Sequence, residues 1–178
     1  GGGKVLKAHL TEWQPLSSII STQFSNKNSS SENLLCSFSR KSPSSTSKAE
    51  VELASLDLVR GKKNGLIPEL IFPVPGGVLS SPFGYRRGIF HSGLDITACK
   101  GDPIVACSDG RVVFTGSRKG YRSYGQTILI DHGRDVYTHY AHLSRILVRK
   151  GQKVRAGEKI GLVGSTGRST SPHLHLEV

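Results

Sequence analysis

The chain has 178 residues, 36% of them apolar, with 21 glycines, one tryptophan and no methionine. That is room for one sizeable domain plus a remainder that packs poorly, and no run approaches the roughly 20 apolar residues of a membrane-spanning helix. The 24 basic and 13 acidic residues leave a net charge of +11, which suits a polyanionic partner: nucleic acid, an anionic membrane surface or a carboxylate-rich wall polymer.

The chain opens on Gly1-Gly2-Gly3 rather than Met and reads as a piece of a longer protein, so its first residues say nothing about targeting. Residues 15–48 contain 13 serines. Such a stretch offers little apolar surface to offset the entropy of ordering its backbone, and it reads as a linker. VELASLDLV at 51–59 alternates at first and runs into basic RGKKNG, which suits a short strand or a tether.

The texture changes at IFPVPGGVLSSPFGYR. From there to the end, short apolar runs (PIVACSDG, RVVFTG, QTILIDHG, RILVRKG, KIGLVGSTG) alternate with glycine-centred turns roughly eight to twelve residues apart, with no long helical period. The expectation is an all-β, antiparallel sandwich or barrel-like domain over residues 70–178, preceded by an N-terminal segment and tether over 1–69. Residues 73–178 hold 15 basic and 7 acidic residues. The basic ones are scattered through loops, with no recognition-helix pattern and no strand-borne aromatic platform, which argues against nucleic acid. Cys36, Cys99 and Cys107 have no C-x-x-C spacing, so a thiolate zinc site is not expected. Cys99 and Cys107 can pair only if their strands meet.

Three stretches carry chemistry. In HSGLDI, residues 91–96, strand alternation puts His91, Gly93 and Asp95 on one face with no side chain between the imidazole and the carboxylate. A nitrogen and a hard oxygen there are the mix zinc takes with one position left for water. The competing reading is a loop aspartate capping a turn beside a surface histidine. In VYTHYAHL, residues 136–143, parity puts His142 with Tyr140 and Thr138, and His139 with Tyr137 and Ala141. A regular strand can aim only one of the two histidines at a given site. In SPHLHLEV, residues 171–178, His173, His175 and Glu177 share one face and Leu174, Leu176 and Val178 the other. One face suits a core. The other brings two imidazoles within reach of a common point.

H-x-x-x-D at 91–95, YAHL at 140–143 and PHLH at 172–175 together resemble the three signatures of the LytM/lysostaphin-type zinc metallopeptidases, the M23 family. GDPIVACSDGRVV, YGQTILIDHG and GQKVRAGEKIGLVGSTGRST match between them, and the likeness covers residues 73–178 but not 1–72. The resemblance implies Zn2+ held by His91, Asp95 and His175, with His142 and His173 as the two catalytic histidines and His139 left with a structural role or one supporting the site residues from behind. His132 and His9 have no part in it. Tyr85, in FGYRR, is a candidate oxyanion donor against the plainer role of a packed aromatic, and Arg86 and Arg87 are substrate-facing or simply solvated. The glycine loops at 116–125 and 164–170 are expected to rim the cleft.

The function this implies is a zinc-dependent endopeptidase cutting peptide bonds in peptidoglycan stem cross-links or bridges, working outside the cytoplasm in the periplasm or cell envelope. It leaves room for an upstream membrane anchor outside this chain, and for other cell-division or wall-remodelling proteins as partners. The rival is a catalytically silent module that binds and activates another wall hydrolase, which a broken site would favour; here no ligand is missing. GQKVRAGEKIGLVG also resembles the hairpin of biotinyl and lipoyl carrier domains, but Gly164-Ser165-Thr166-Gly167 follows it and the chain has no methionine. An iron oxygenase would leave His142 and His173 unexplained. In similar enzymes an upstream segment can lie across the cleft, and Asn64 in GKKNG is the residue that would do so here. Nothing in 49–69 specifies a cleft-filling strand, so a tether is the expectation.

Overall fold

A computed structural model describes residues 16–25, 68–117, 119–120 and 122–178. One helix, α1 (Leu16–Ser25), precedes the strands β1 (Val78–Ser81), β2 (Gly84–Arg86), β3 (Ile89–His91), β4 (Leu94–Thr97), β5 (Pro103–Val105) and β6 (Gly110–Gly116). A short 3-10 turn (Arg122–Tyr124) leads into β7 (Gln126–Asp131), β8 (Tyr137–Leu143), β9 (Arg145–Ile146), β10 (Lys153–Val154), β11 (Lys159–Leu162) and β12 (His173–Glu177). Seven strands form one antiparallel sheet in the order β1-β4-β12-β8-β7-β6-β10. Strands β5-β11-β9 form a second sheet, and β2-β3 a separate hairpin. The all-β antiparallel architecture expected from the turn spacing is the one observed.

The core lies on one face of the large sheet. Leu94 and Ile96 of β4, Leu174 and Leu176 of β12, Tyr140 of β8 and Ile128 of β7 are fully buried there together with Ile104 of β5 and Ile160 of β11. The small sheet packs close: a Cβ at Gly161 in β11 would lie 2.5 Å from Leu143 Cδ2, so the glycine lets the two layers approach. Because alternate residues of a strand face opposite ways, filling this core turns the polar residues of β4, β8 and β12 outward together.

Residues 16–25, read from the sequence as linker, form a packed helix. Ile20 and Phe24, one turn apart, are 3% and 1% exposed, and the Phe24 ring meets Phe72 edge-on at 5.0 Å. The serine count hides this pair. Helical serine and threonine hydroxyls can donate to the carbonyl four residues back, as Thr22 does to Ser18 and Ser25 to Ser21. Ser17 Oγ donates to the Val178 carbonyl at 3.0 Å and accepts from its N–H at 3.2 Å, joining helix to sheet. Residues 26–48, VELASLDLV at 51–59 and Asn64 lie outside the described residues.

Cys99 and Cys107 do not pair. Cys107 is free and buried, and Cys99 is disulfide-bonded. Burial pushes the Cys107 thiol up to about 12, so it is an inert filler of the core. No helix among the described residues is long and apolar enough to cross a membrane.

If α1 contributes to the core as its burial implies, Phe24→Ala should lower the unfolding free energy by about 3 kcal/mol. Gln23→Ala, on the exposed side of the helix, should leave the urea midpoint unchanged. Equal midpoints for both variants would show that the helix adds nothing to the fold.

Candidate metal centre

Strands β4 and β12 are neighbours, and their antiparallel register sets Asp95 opposite His175 and Thr97 opposite His173. His91 ends β3, and Ser92 and Gly93 carry the chain into β4. A Cβ at Gly93 would lie 2.5 Å from the Leu176 carbonyl oxygen and 2.8 Å from Cε1 and Nε2 of His175. Only glycine lets the His175 ring lie against the chain at that point.

The three candidate ligands converge. His91 Nε2 lies 3.2 Å from Asp95 Oδ2, and His175 Nδ1 lies 2.8 Å from Asp95 Oδ1. One nitrogen or oxygen atom from each residue falls within 4.8 Å of the others. Two imidazole nitrogens and a carboxylate form a donor set suited to a divalent metal, with room left for further ligation.

Carbonyl oxygens only accept hydrogen bonds, so they fix which imidazole nitrogen carries the proton. His91 Nδ1 donates to the Pro82 carbonyl at 2.9 Å, which leaves its Nε2 lone pair for the centre. His142 Nδ1 donates to the Thr166 carbonyl at 2.8 Å, and His173 Nδ1 to the Ser171 carbonyl at 2.8 Å. Their Nε2 atoms are thereby left as free bases. His173 Nε2 stands 3.7 Å from Asp95 Oδ1, and the His142 and His173 rings are 4.7 Å apart.

His142 reaches this face against strand parity. Tyr140, two residues earlier, is in the core, so a regular strand would bury His142 beside it. His142 instead has φ of 64°, the left-handed region that side-chain-bearing residues rarely enter. The turn swings its ring toward His173 and His175, 5.9 Å from the latter. His139 faces the same side by ordinary alternation, so both histidines of VYTHYAHL flank the centre.

One residue that sequence reasoning left without a role is Glu177. Its Oε1 accepts hydrogen bonds from Ser92 Oγ at 2.6 Å, Tyr124 OH at 2.9 Å and His175 Nε2 at 3.1 Å. Its Oε2 lies 3.4 Å from His139 Nδ1. Parity already put Glu177 on the histidine face; the signal for a role was a carboxylate two residues from a candidate ligand. Beside it a cavity of about 510 Å³ runs over Phe114 and Leu129, bordered by Tyr124 and His139. None of the three ligand residues lines that cavity, which meets the centre through Glu177.

The charges follow the contacts. Burial alone would raise the Asp95 carboxyl, but the hydrogen bond from His175 and the nearby His91 outweigh it, and the net shift is downward. Burial would likewise depress His175, yet its bonds to Asp95 and Glu177 lift it to about 9. Glu177 is held below the usual carboxylate range: its bonds from His139, His175, Ser92 and Tyr124 overcome the opposing effect of burial. His142 is lowered, chiefly by burial, with His173 and His175 adding to the effect.

Each of the two glycine loops sends one group to the site residues. Thr166 supplies the carbonyl for His142, and the 3-10 turn supplies Tyr124. Tyr85 is 80% exposed and stacks edge-on with Phe90 at 5.1 Å. Arg86 comes to 3.9 Å from Asp95 Oδ2, while Arg87 points to solvent. His132 is away from the centre, tied to the Asp109 carbonyl and Thr138. His9 lies outside the described residues.

The model of peptidase family M23 matches residues 89–178. The DD-carboxypeptidase/endopeptidase Mpg of Neisseria meningitidis is 48% identical over 105 residues, covering 56% of this chain and 24% of that protein. The murein hydrolase activator NlpD of Salmonella dublin is 45% identical over 107 residues, covering 60% of this chain and 27% of its own length. The chain thus spans only about a quarter of these curated relatives. A zinc-containing peptidase from Vibrio cholerae superposes with a TM-score of 0.55 at 34% identity, over 62% of this chain and 36% of that one. Since the family match takes in the whole stretch from His91 to the final strand, the chain belongs to peptidase family M23.

Proposed function

We propose that this protein is a zinc-dependent endopeptidase that hydrolyses peptide bonds in the stem cross-links or bridges of bacterial peptidoglycan, and that it works outside the cytoplasm. The observation that carries the reading is the meeting of His91, Asp95 and His175 with the free Nε2 atoms of His142 and His173 on one sheet face. In support, the Neisseria relative is named a DD-carboxypeptidase/endopeptidase and the Vibrio neighbour a zinc-containing peptidase.

His91 through Nε2, His175 through Nδ1 and Asp95 through its carboxylate would hold zinc, whose chemistry when bound is to polarise a carbonyl and acidify a water. The rest falls to the chain. His142, lowered chiefly by burial, and His173 turn their Nε2 atoms to the same space, Nδ1 of each being committed to a backbone carbonyl. One of them takes the proton from the attacking water and, once protonated at Nε2, hands that proton to the departing amine, while the other accepts a hydrogen bond beside it. The backbone carbonyls of Thr166 and Ser171 hold both rings in the tautomer this requires. The cavity over Phe114 and Leu129 gives an extended peptide an apolar floor beside the centre.

The likeness to NlpD supports a second reading, in which the module binds and activates another wall hydrolase. The complete set of five residues favours the enzyme. Purified sacculi treated with the protein alone should release peptides with new termini, identified by mass spectrometry. Intact sacculi, together with stimulation of an added amidase, would establish the activator instead.

Elemental analysis should find one zinc per chain after dialysis. His142→Ala and His173→Ala should each reduce cleavage by at least about a hundredfold and keep the zinc, whereas His175→Ala should lose both. Retention of metal by His175→Ala alongside its loss from His173→Ala would reverse the assignment of the pair.

A further inference from the structure

Of the four histidines read as ligands or catalytic groups, three have their proton placed by a backbone carbonyl: His91 by Pro82, His142 by Thr166 and His173 by Ser171. His175 is the exception. Its outward nitrogen, Nε2, meets a side chain, Oε1 of Glu177, at 3.1 Å. That carboxylate is itself held: Ser92 Oγ and Tyr124 OH donate to the same oxygen, and His139 lies against the other. Ser92 lies in the segment joining His91 to Asp95, so the carboxylate that braces one candidate ligand is anchored to the chain that carries the other two.

We propose that Glu177 is a positioning residue for the metal centre: Asp95 and Glu177 accept from the two nitrogens of His175, and when a metal ion takes the place of the Nδ1 proton, Glu177 keeps the Nε2 proton, holds the ring so that the Nδ1 lone pair faces Asp95 and His91, and so strengthens metal binding. The inference rests on the metal-centre reading above. Its physical basis is general, since a carboxylate on the far nitrogen of a ligating imidazole fixes ring orientation and raises ligand basicity, and losing it typically costs about 10- to 100-fold in metal affinity. A backbone carbonyl can do the same for orientation, as for His91, but carries no full charge. Glu177 offers a carboxylate instead, gripped in place by Ser92 and Tyr124.

The test uses the full chain and zinc alone, with affinity read by competition against a chromophoric chelator. Glu177→Ala should weaken zinc binding about 10- to 100-fold, and Glu177→Gln, which keeps an accepting oxygen without the charge, should fall between it and the native protein. In the zinc-loaded native protein, 15N NMR should show the His175 Nε2 proton protected from exchange; in Glu177→Ala that protection should be gone. A purely structural role would not move that resonance. If Glu177→Ala does not fold, Ser92→Ala and Tyr124→Phe, each removing one bond to Oε1, should still weaken zinc several-fold and speed exchange of the same proton. Undiminished affinity in Glu177→Ala, or an unchanged Nε2 proton, would overturn the proposal. His91→Ala separates the two levels: zinc lost there but kept in Glu177→Ala preserves the metal centre and discards Glu177, while zinc kept in both discards the metal centre itself.

Discussion

The register of β12 between β4 and β8 is the constraint on which the site depends. Strand β12 pairs on one side with β4, putting His175 opposite Asp95, and on the other with β8, putting it opposite Ala141. Leu174 and Leu176, fully buried, lock that register from the other face. A slip of one residue would drive two imidazoles and a carboxylate into the apolar core and expose two leucines, losing on the order of 2 kcal/mol per leucine before the cost of burying polar groups is counted. The core and the candidate metal centre are two faces of one pairing, and neither can shift without the other.

Against that regular pairing, His142 is an exception the protein maintains. Its left-handed backbone costs about 1–2 kcal/mol relative to ordinary strand geometry. The strand irregularity where Gln126 and Ile128 of β7 face β8, and the Thr166 carbonyl that receives its Nδ1 proton, hold it in place. Local strain of this kind persists where surrounding structure over-determines it, and such positions cluster at functional sites. Here the strain has an identifiable result: it delivers a second free imidazole to a face that alternation would have denied it.

Much of this was legible in the sequence, for physical reasons that also explain what was not. The turn-punctuated apolar runs specified antiparallel strands, and the period of two put Asp95 with His91 and His175 with His173 on their respective faces. That same period could not anticipate His142, because a single left-handed residue breaks the rule by which parity is read. Likeness to known peptidases supplied His142 where periodicity could not. Helix α1 was hidden by composition: ten residues rich in serine read as solvated chain, although Ile20 and Phe24 sit one turn apart and the hydroxyls find carbonyls within the helix itself. Glu177 was placed on the right face and given no task, since its value depends on Ser92, Tyr124 and His139 arriving from three distant segments. Ser92 and Tyr124 carry no motif of their own.

The two loops beside the cleft are stitched where Gly125 and Gly167 cross. Added side-chain carbons would lie 2.4 Å from the opposing backbone in either direction, and the Arg168 N–H donates to the Ser123 carbonyl at 2.8 Å. One loop carries Tyr124, which steadies Glu177; the other carries Thr166, which steadies His142. The supports of Glu177 and of His142 are therefore geared together where these two backbones meet. A change in length or composition of one loop drags the other with it, so the space between them can widen or narrow only when both loops alter in step.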